Sequence, residues 1–405
     1  MNPTQLGSCR SSRSSEKGCA AAAPREWKAS AADDKPGRDG MLQPTPFAPP
    51  TSLESIPRGS AKQIARGSQM SRFRRAVNMR HRLVVTTCAL AGLALLLVVV
   101  GWQARSEIEV WLAPEKTPSA VTSGKAKDAN AQFWDAFHGG RYEQLPGVIE
   151  ALTAAYLENP RDVDTTAHLA FAHIWAYAER ARLDKPTASI ADHIVLARKY
   201  FAEAVRLAPH DQRFRGFLAS LELAEAAMDG DEKGTRNGYF DLLRAAKAWP
   251  EFNLFTAGYA LSQLPFTDPI YAEAVDFQWQ NVDACGGEKV DRRTAQYDKY
   301  MALETKTGPK RVCWNSWIAP HNCEGFFLNM GDMLVKQGDP ITARRVYANA
   351  KLSKTYQEWP FKSVLEDRIE QATDNVALFR DPPAGEKIRT MMIRSTFSCT
   401  GCHQQ

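Results

Sequence analysis

The sequence predicts an all-α protein, an array of helical hairpins behind a single membrane-crossing helix and a disordered head. Three observations carry this expectation. From Gln132 to about Phe379 apolar residues recur at helical spacing, and alternating β-branched runs are nearly absent. Leu83 to Trp102 reads LVVTTCALAGLALLLVVVGW, without one charge. The formal charge of +5 over 405 residues is unevenly spread, with 15 Lys/Arg against 6 Asp/Glu in residues 1–82 and a slightly acidic remainder. A basic head on such a body excludes a nucleic-acid binder with a basic body. The composition also excludes a collagen, a disulfide-dense miniprotein and a multi-span transporter.

The head spans residues 1–82. Residues 1–69 are rich in Ser, Ala, Pro, Gly and Arg, with four prolines between Met41 and Pro50. No apolar period persists there, so burial cannot offset chain entropy and disorder is expected. The alternative is a start at Met70, which opens a more ordinary N-terminus. Residues 83–102 form the span, about 30 Å long at 1.5 Å per residue and matched to the hydrocarbon core. Arg72, Arg74, Arg75, Arg80 and Arg82 precede it; Glu107, Glu109 and Glu115 follow. The positive-inside rule then predicts a single-pass protein of a bacterial inner membrane, N-terminus cytoplasmic and body periplasmic. A cleaved signal peptide is the competing reading. It would have an apolar core of about 7–15 residues and a small-x-small exit, which Gly101-Trp102-Gln103-Ala104 lacks. Residues 103–128, rich in Pro, Ser, Thr, Lys and Gly, read as a tether.

The body, residues 129–384, carries an internal repeat. Gly331, Leu334, Gly338, Ala343, Tyr347 and Ala350 form its best unit, with Thr355 where a closing proline would stand. Its second half recurs as Ala197, Phe201, Ala204 and Pro209, as Gly238, Leu242, Ala245 and Pro250, and more weakly as Val148, Leu152, Ala155 and Pro160. These spacings resemble the tetratricopeptide repeat, whose standard period is about 34 residues. The resemblance covers roughly two-thirds of the body, with insertions. It implies a concave groove that binds a peptide or protein segment, and no catalysis.

Residues 385–405 end in Ser398-Cys399-Thr400-Gly401-Cys402-His403-Gln404-Gln405. Cys-x-x-Cys-His is the attachment signature of c-type haem. Cys399 and Cys402 would add to the two vinyl groups, and His403 would ligate the iron from the proximal side. With eight Cys and eight His in the chain, chance supplies roughly 0.003 such strings. The expected cofactor is therefore one covalent haem c, serving electron transfer or a haem-bearing adaptor for a redox protein. Apolar residues at Ile388, Met391, Met392 and Phe397 suggest that the motif ends a helix, packed mostly on the last repeat. Only two residues follow the motif, unlike the common small cytochromes, in which a methionine follows. Cytochromes of the helical-bundle class share the C-terminal position and often leave the iron five-coordinate. A sixth ligand, if present, is sought upstream in His321, Met330 or Met333. Four readings compete with electron transfer: a redox-active Cys399–Cys402 dithiol, a scaffold whose terminal cysteines form a disulfide or are inert, a zinc site with two further ligands from Cys285, Cys313, Cys323 or His321, and an open haem with peroxidase-like or gas-binding activity.

Of the other body cysteines, Cys313 and Cys323 flank a Trp- and His-bearing link, and a Cys313–Cys323 bridge is expected, with Cys285 to either as the alternative. That link reads as a braced turn or as a wall of the haem pocket. His168 and His173, five apart on one apolar helix, read as core or groove residues. His138, His193 and His210 show no partner pattern. No phosphate loop, nucleophile elbow, paired-carboxylate signature or zinc-protease helix occurs.

Overall fold

The computed structural model describes residues 62–380, 391–393 and 399–405, with side chains from residue 78 onward. The described residues are helical, and no strand occurs among them. The chain divides into two units, Met1–Arg105 and Ser106–Gln405.

Among the described residues the first unit contains one helix, α1 (Lys62–Gln103). Within it Asn78–Gln103 is long and apolar enough to cross a membrane. The helix also runs through residues 62–82, which the sequence suggested would be structureless. Once an uncharged helix is nucleated, each added residue contributes a hydrogen bond, so helix propagates into the flanking Arg-rich stretch. Residues 1–61, with Cys9 and Cys19, lie outside the described residues.

The second unit contains fourteen described helices: α2 (Arg105–Leu112, whose first residue belongs to the first unit), α3 (Gly124–His138), α4 (Leu145–Glu158), α5 (Val163–Ala178), α6 (Asp192–Leu207), α7 (Gln212–Asp229), α8 (Glu232–Ala248), α9 (Pro250–Leu261), α10 (Pro269–Gly286), α11 (Asn322–Gln337), α12 (Pro340–Ala348), α13 (Lys362–Glu370), α14 (Asn375–Arg380) and α15 (Cys399–His403). Their starts follow local chemistry. Aspartates 162, 211, 231, 268 and 339 each accept a backbone N–H in the first turn of α5, α7, α8, α10 and α12. Prolines stand in the first turn of α4, α9, α10 and α12, where a missing N–H costs nothing.

From α3 to α12, helices consecutive in the chain pack on one another. Of the positions singled out as repeat residues, Val148, Leu152 and Ala155 on α4, Ala197, Phe201 and Ala204 on α6 and Gly238, Leu242 and Ala245 on α8 are buried, whereas Pro209 and Gly338 are exposed. On α11, a methyl group at Gly331 would lie 2.1 Å from the Tyr347 ring of α12, so only glycine permits this approach. Thr355 donates its hydroxyl to the buried Glu324 carboxylate (2.7 Å), which explains a threonine there.

Two segments differ from expectation. The tether at 103–128 is partly built into the body: Ser119 N–H donates to Arg161 O (2.8 Å), Lys116 pairs with the buried Glu203, and Ser123 caps α3. The tail is not one helix. Met392 has φ +55° and its N–H donates to Asp332 Oδ2 (3.0 Å), a left-handed turn that no helix accommodates. Met391 and Met392 therefore do not share a helix with the Cys-x-x-Cys-His motif. Residues 381–390 and 394–398, with Ile388 and Phe397, lie outside the described residues.

Candidate functional site

The buried residues of the body form two cores, one drawn from Ala126–Leu221 and one from Ala219–Ile393. The five residues of α15 sit where the two approach. Cys399 packs on the first core. Thr400 donates its hydroxyl to the fully buried Glu179, which is also paired with Arg182 (2.7 Å). Gln405 N–H donates to His138 O on α3 (2.8 Å). On the other side, Trp359 Nε1 donates to Gly401 O (2.8 Å) and His321 N–H donates to Cys402 O (3.0 Å). Gly325 of α11 makes the approach possible, because a Cβ there would lie 2.5 Å from Cys402 Sγ and 2.6 Å from the Gly401 carbonyl carbon. The motif is thus held by hydrogen bonds from four separate regions of the chain.

Cys399 and Cys402 are three residues apart on α15 and therefore share a face. Both are thiols, and the disulfide among the described residues lies elsewhere. Cys402 is buried, and burial, reinforced by the nearby Cys399, Glu324 and Cys323, pushes its thiol well above the ordinary range.

His403 is half-buried, and its ring lies 4.9 Å from that of Phe137. Its Nδ1 is 2.7 Å from Ile318 O. A carbonyl only accepts, so Nδ1 carries the proton and the neutral ring presents its lone pair at Nε2. Burial pulls the pKa to about 4, with the Ile318 bond working against that and His138 adding to it. A neutral imidazole whose Nδ1–H is fixed by a backbone carbonyl is the arrangement that holds metal-ligating histidines in place. Two thiols on one helical face, beside an imidazole with an open Nε2, match in donor chemistry what a c-type haem requires.

The remaining candidates are placed as follows. His321 is buried beside the motif, its Nδ1 3.2 Å from Glu324 Oε1. That carboxylate also accepts from Ser353, Thr355 and Asn315. Met330 and Met333 are wholly enclosed in the second core, among its apolar residues. The expected Cys313–Cys323 bridge is corrected: Cys285 is bonded to Cys313, with a Cα–Cα distance of 5.8 Å. The end of α10 lies against the turn Pro309–Cys313, whereas Cys323 opens α11 and points its thiol toward Cys313 O (3.7 Å). Burial raises the Cys323 thiol to about 12. Two of the four residues a zinc site would draw on are thus bonded to each other, and among the described residues no group of three or more His, Cys, Asp or Glu is arranged to hold a metal ion.

No family model, curated protein or solved structure matches the chain.

Sequence reasoning missed His138. Its Nε2 lies 3.2 Å from the same Ile318 oxygen that His403 uses, and its ring contacts Trp134 and Trp317. Residues 138 and 318 are 180 positions apart, and no pattern in the sequence marks that pairing. The link between Cys313 and Cys323 was the nearest signal, since Ile318 and the exposed Trp317 both belong to it. Of the two histidines read as core or groove residues, His173 is buried and His168 half-buried. His168 bonds Asn130 Oδ1 (2.8 Å), and His173 Nδ1 lies 2.8 Å from His193 Nδ1.

Proposed function

We propose that the protein is a membrane-anchored, exported tetratricopeptide-like protein that carries one covalent haem c and acts in electron transfer, or as a haem-bearing adaptor for a redox partner. One observation carries the reading: His403, adjacent to two thiols on one helical face, has its Nδ1–H committed to Ile318 O, which leaves the Nε2 lone pair to face a ligand. The apolar stretch Asn78–Gln103 and the arginines before it support an anchor with the body exported. That compartment is where c-type haem is attached and where the Cys285–Cys313 bridge is stable. The consecutive helix pairs and the Gly331–Tyr347 contact support the repeat resemblance and, with it, a partner segment held in the concave face.

In this reading Cys399 and Cys402 hold the haem and His403 ligates its iron, supplying one-electron redox chemistry when bound. Ile318 fixes the tautomer of His403. Trp359, His321 and Glu179 hold α15 in position, and the burial of Cys402 keeps water from that edge of the site. Among the upstream candidates, His321 is the one the fold sets beside the motif, with its ring oriented by Glu324.

The test is the full-length protein produced in a host competent for c-type maturation. A denaturing-gel haem stain and a reduced-minus-oxidised spectrum should show one covalent haem, and Cys399→Ser with Cys402→Ser should abolish it. Wild-type protein without covalent haem defeats the reading.

The wedged position of α15 favours a second reading, in which the tail is a structural closure and the repeats act as a scaffold for a protein partner. It predicts that the double serine variant keeps partner binding.

A further inference from the structure

The Ile318 carbonyl accepts from two imidazoles at once. His403 Nδ1 is 2.7 Å away and His138 Nε2 is 3.2 Å away. Each nitrogen faces an acceptor, so each carries its proton there. The carbonyl is held in a fixed turn, since Ser316 N–H donates to Ala319 O (3.0 Å) and Ala319 N–H to Ser316 Oγ (3.2 Å). His138 is fixed too. It is buried at the end of α3, against Trp134 (5.1 Å between ring centroids) and Trp317 (5.5 Å), and its own carbonyl accepts Gln405 N–H. Neither donor can turn away without breaking the other contacts that hold it.

Resting on the haem reading above, we propose that His138 is a positioning residue that sets the donor strength of the proximal histidine by sharing its carbonyl. A hydrogen bond from Nδ1–H to an acceptor makes the imidazole a more electron-rich ligand, and an electron-rich axial ligand favours the oxidised iron. An oxygen that already accepts from His138 is a weaker acceptor for His403. His138 thereby keeps the His403 bond weaker than an unshared carbonyl would make it, and holds the potential higher. Both rings meet at the Ile318 oxygen, and it is through this shared acceptor that His138 acts on the strength of the His403 hydrogen bond.

The experiment uses full-length protein with two variants. His138→Phe keeps the ring volume and removes the donor, while His138→Gln keeps an N–H at a similar reach. Haem stain and midpoint potential are measured on each, with the Nδ1–H proton resonance of His403 recorded on the same chains without haem. The expected result is a lower potential in His138→Phe by about tenfold in the oxidised-to-reduced ratio, roughly 59 mV for one electron, with a downfield Nδ1–H resonance and with His138→Gln close to wild type. An unchanged potential in haem-loaded His138→Phe overturns the proposal, as does an equal shift in both variants, which would mark simple repacking. Wild-type protein that takes no haem defeats the haem reading and the tuning role with it. The resonance then still decides whether the carbonyl is shared: unmoved in His138→Phe, it overturns that arrangement too.

Discussion

The two cores of the body are held together differently. The first, Ala126–Leu221, is knit by aromatic rings and uncharged imidazoles: Phe171, Phe201 and Phe217 pack edge-to-face or stacked, and His168 and His173 are kept neutral by burial, both at about 4. The first region also buries Glu179 and Glu203 against partly exposed cations, whereas the second, Ala219–Ile393, buries both members of an ion pair. Asp332 and Arg368 form a buried pair at 3.0 Å, Glu324 is a buried carboxylate ringed by donors, and a disulfide joins α10 to the following turn. Ring pairs accept either edge-to-face or stacked geometry, whereas buried charges demand particular partners. The core that fixes segment 391–393 and most of α15 is the one built on directed bonds.

The largest effect expected to break this contrast is at Asp332. Its carboxylate accepts from Arg368 Nε, from the Tyr347 hydroxyl (2.6 Å) and from Met392 N–H (3.0 Å). Asp332→Asn leaves a buried guanidinium facing a neutral amide. Removing one partner of a buried pair costs about 3–5 kcal/mol. A urea titration should show that loss and, in protein prepared without haem, Cys402 should be more reactive toward a thiol reagent because the tail loses its anchor. An unchanged midpoint and an unreactive Cys402 would mean that the ionic node does not hold the tail.

The second expectation uses acid to separate the cores. His173 has a folded value of about 4 against an ordinary 6.5, because burial, then His193 and Lys199, disfavours its cation. The unfolded chain therefore takes up a proton first as pH falls. Stability is complete above 6.5 and declines toward 4, with a slope of up to about 1.4 kcal/mol per pH unit for each such group. His168 behaves alike. Glu324 has the opposite sign. Burial opposes its charge, but donors from His321, Thr355, Ser353 and Asn315 together hold it below 4.5. Its contribution is present above that value and is lost only at lower pH. Hydrogen exchange across pH 7 to 4 should therefore show amides of α5 and α6 losing protection before those of α11. Simultaneous loss would show that the cores unfold as one.

Much of this was legible beforehand, for physical reasons. Helical period is local, and it shows in the apolar spacing of the body. Gly331 and Tyr347 were readable as a close approach because a small residue opposite a large one has few other uses. What was not readable depends on distant segments meeting. Cys313 is ten residues from Cys323 yet bonds to Cys285, because the end of α10 folds back onto that turn. His138 and His403 meet on one carbonyl only because α15 is inserted between the two cores. The tail's apolar spacing suggested a helix, and the Asp332 carboxylate, which captures Met392 N–H, overrides it.

The smallest expected effect tests that insertion without touching a charge. Gly325 lies where α11 meets α15, and a methyl there would approach the Cys402 thiol, the Gly401 carbonyl carbon and the Cys402 nitrogen within 2.5–2.7 Å. Two of these are backbone atoms, so a rotamer change cannot relieve the contact, and Gly325→Ala must displace α15. Overpacking of this kind costs about 1–3 kcal/mol. The alanine also favours α11 itself by somewhat under 1 kcal/mol relative to glycine, so the net loss should be small while the positional effect is large. Thermal unfolding should barely move, yet in protein prepared without haem Cys402 should become reactive and the Trp359–Gly401 bond should be lost, visible as a changed indole N–H resonance. If Cys402 stays protected with that resonance unmoved, α15 is not seated against α11, and the division of labour between the two cores does not extend to the tail.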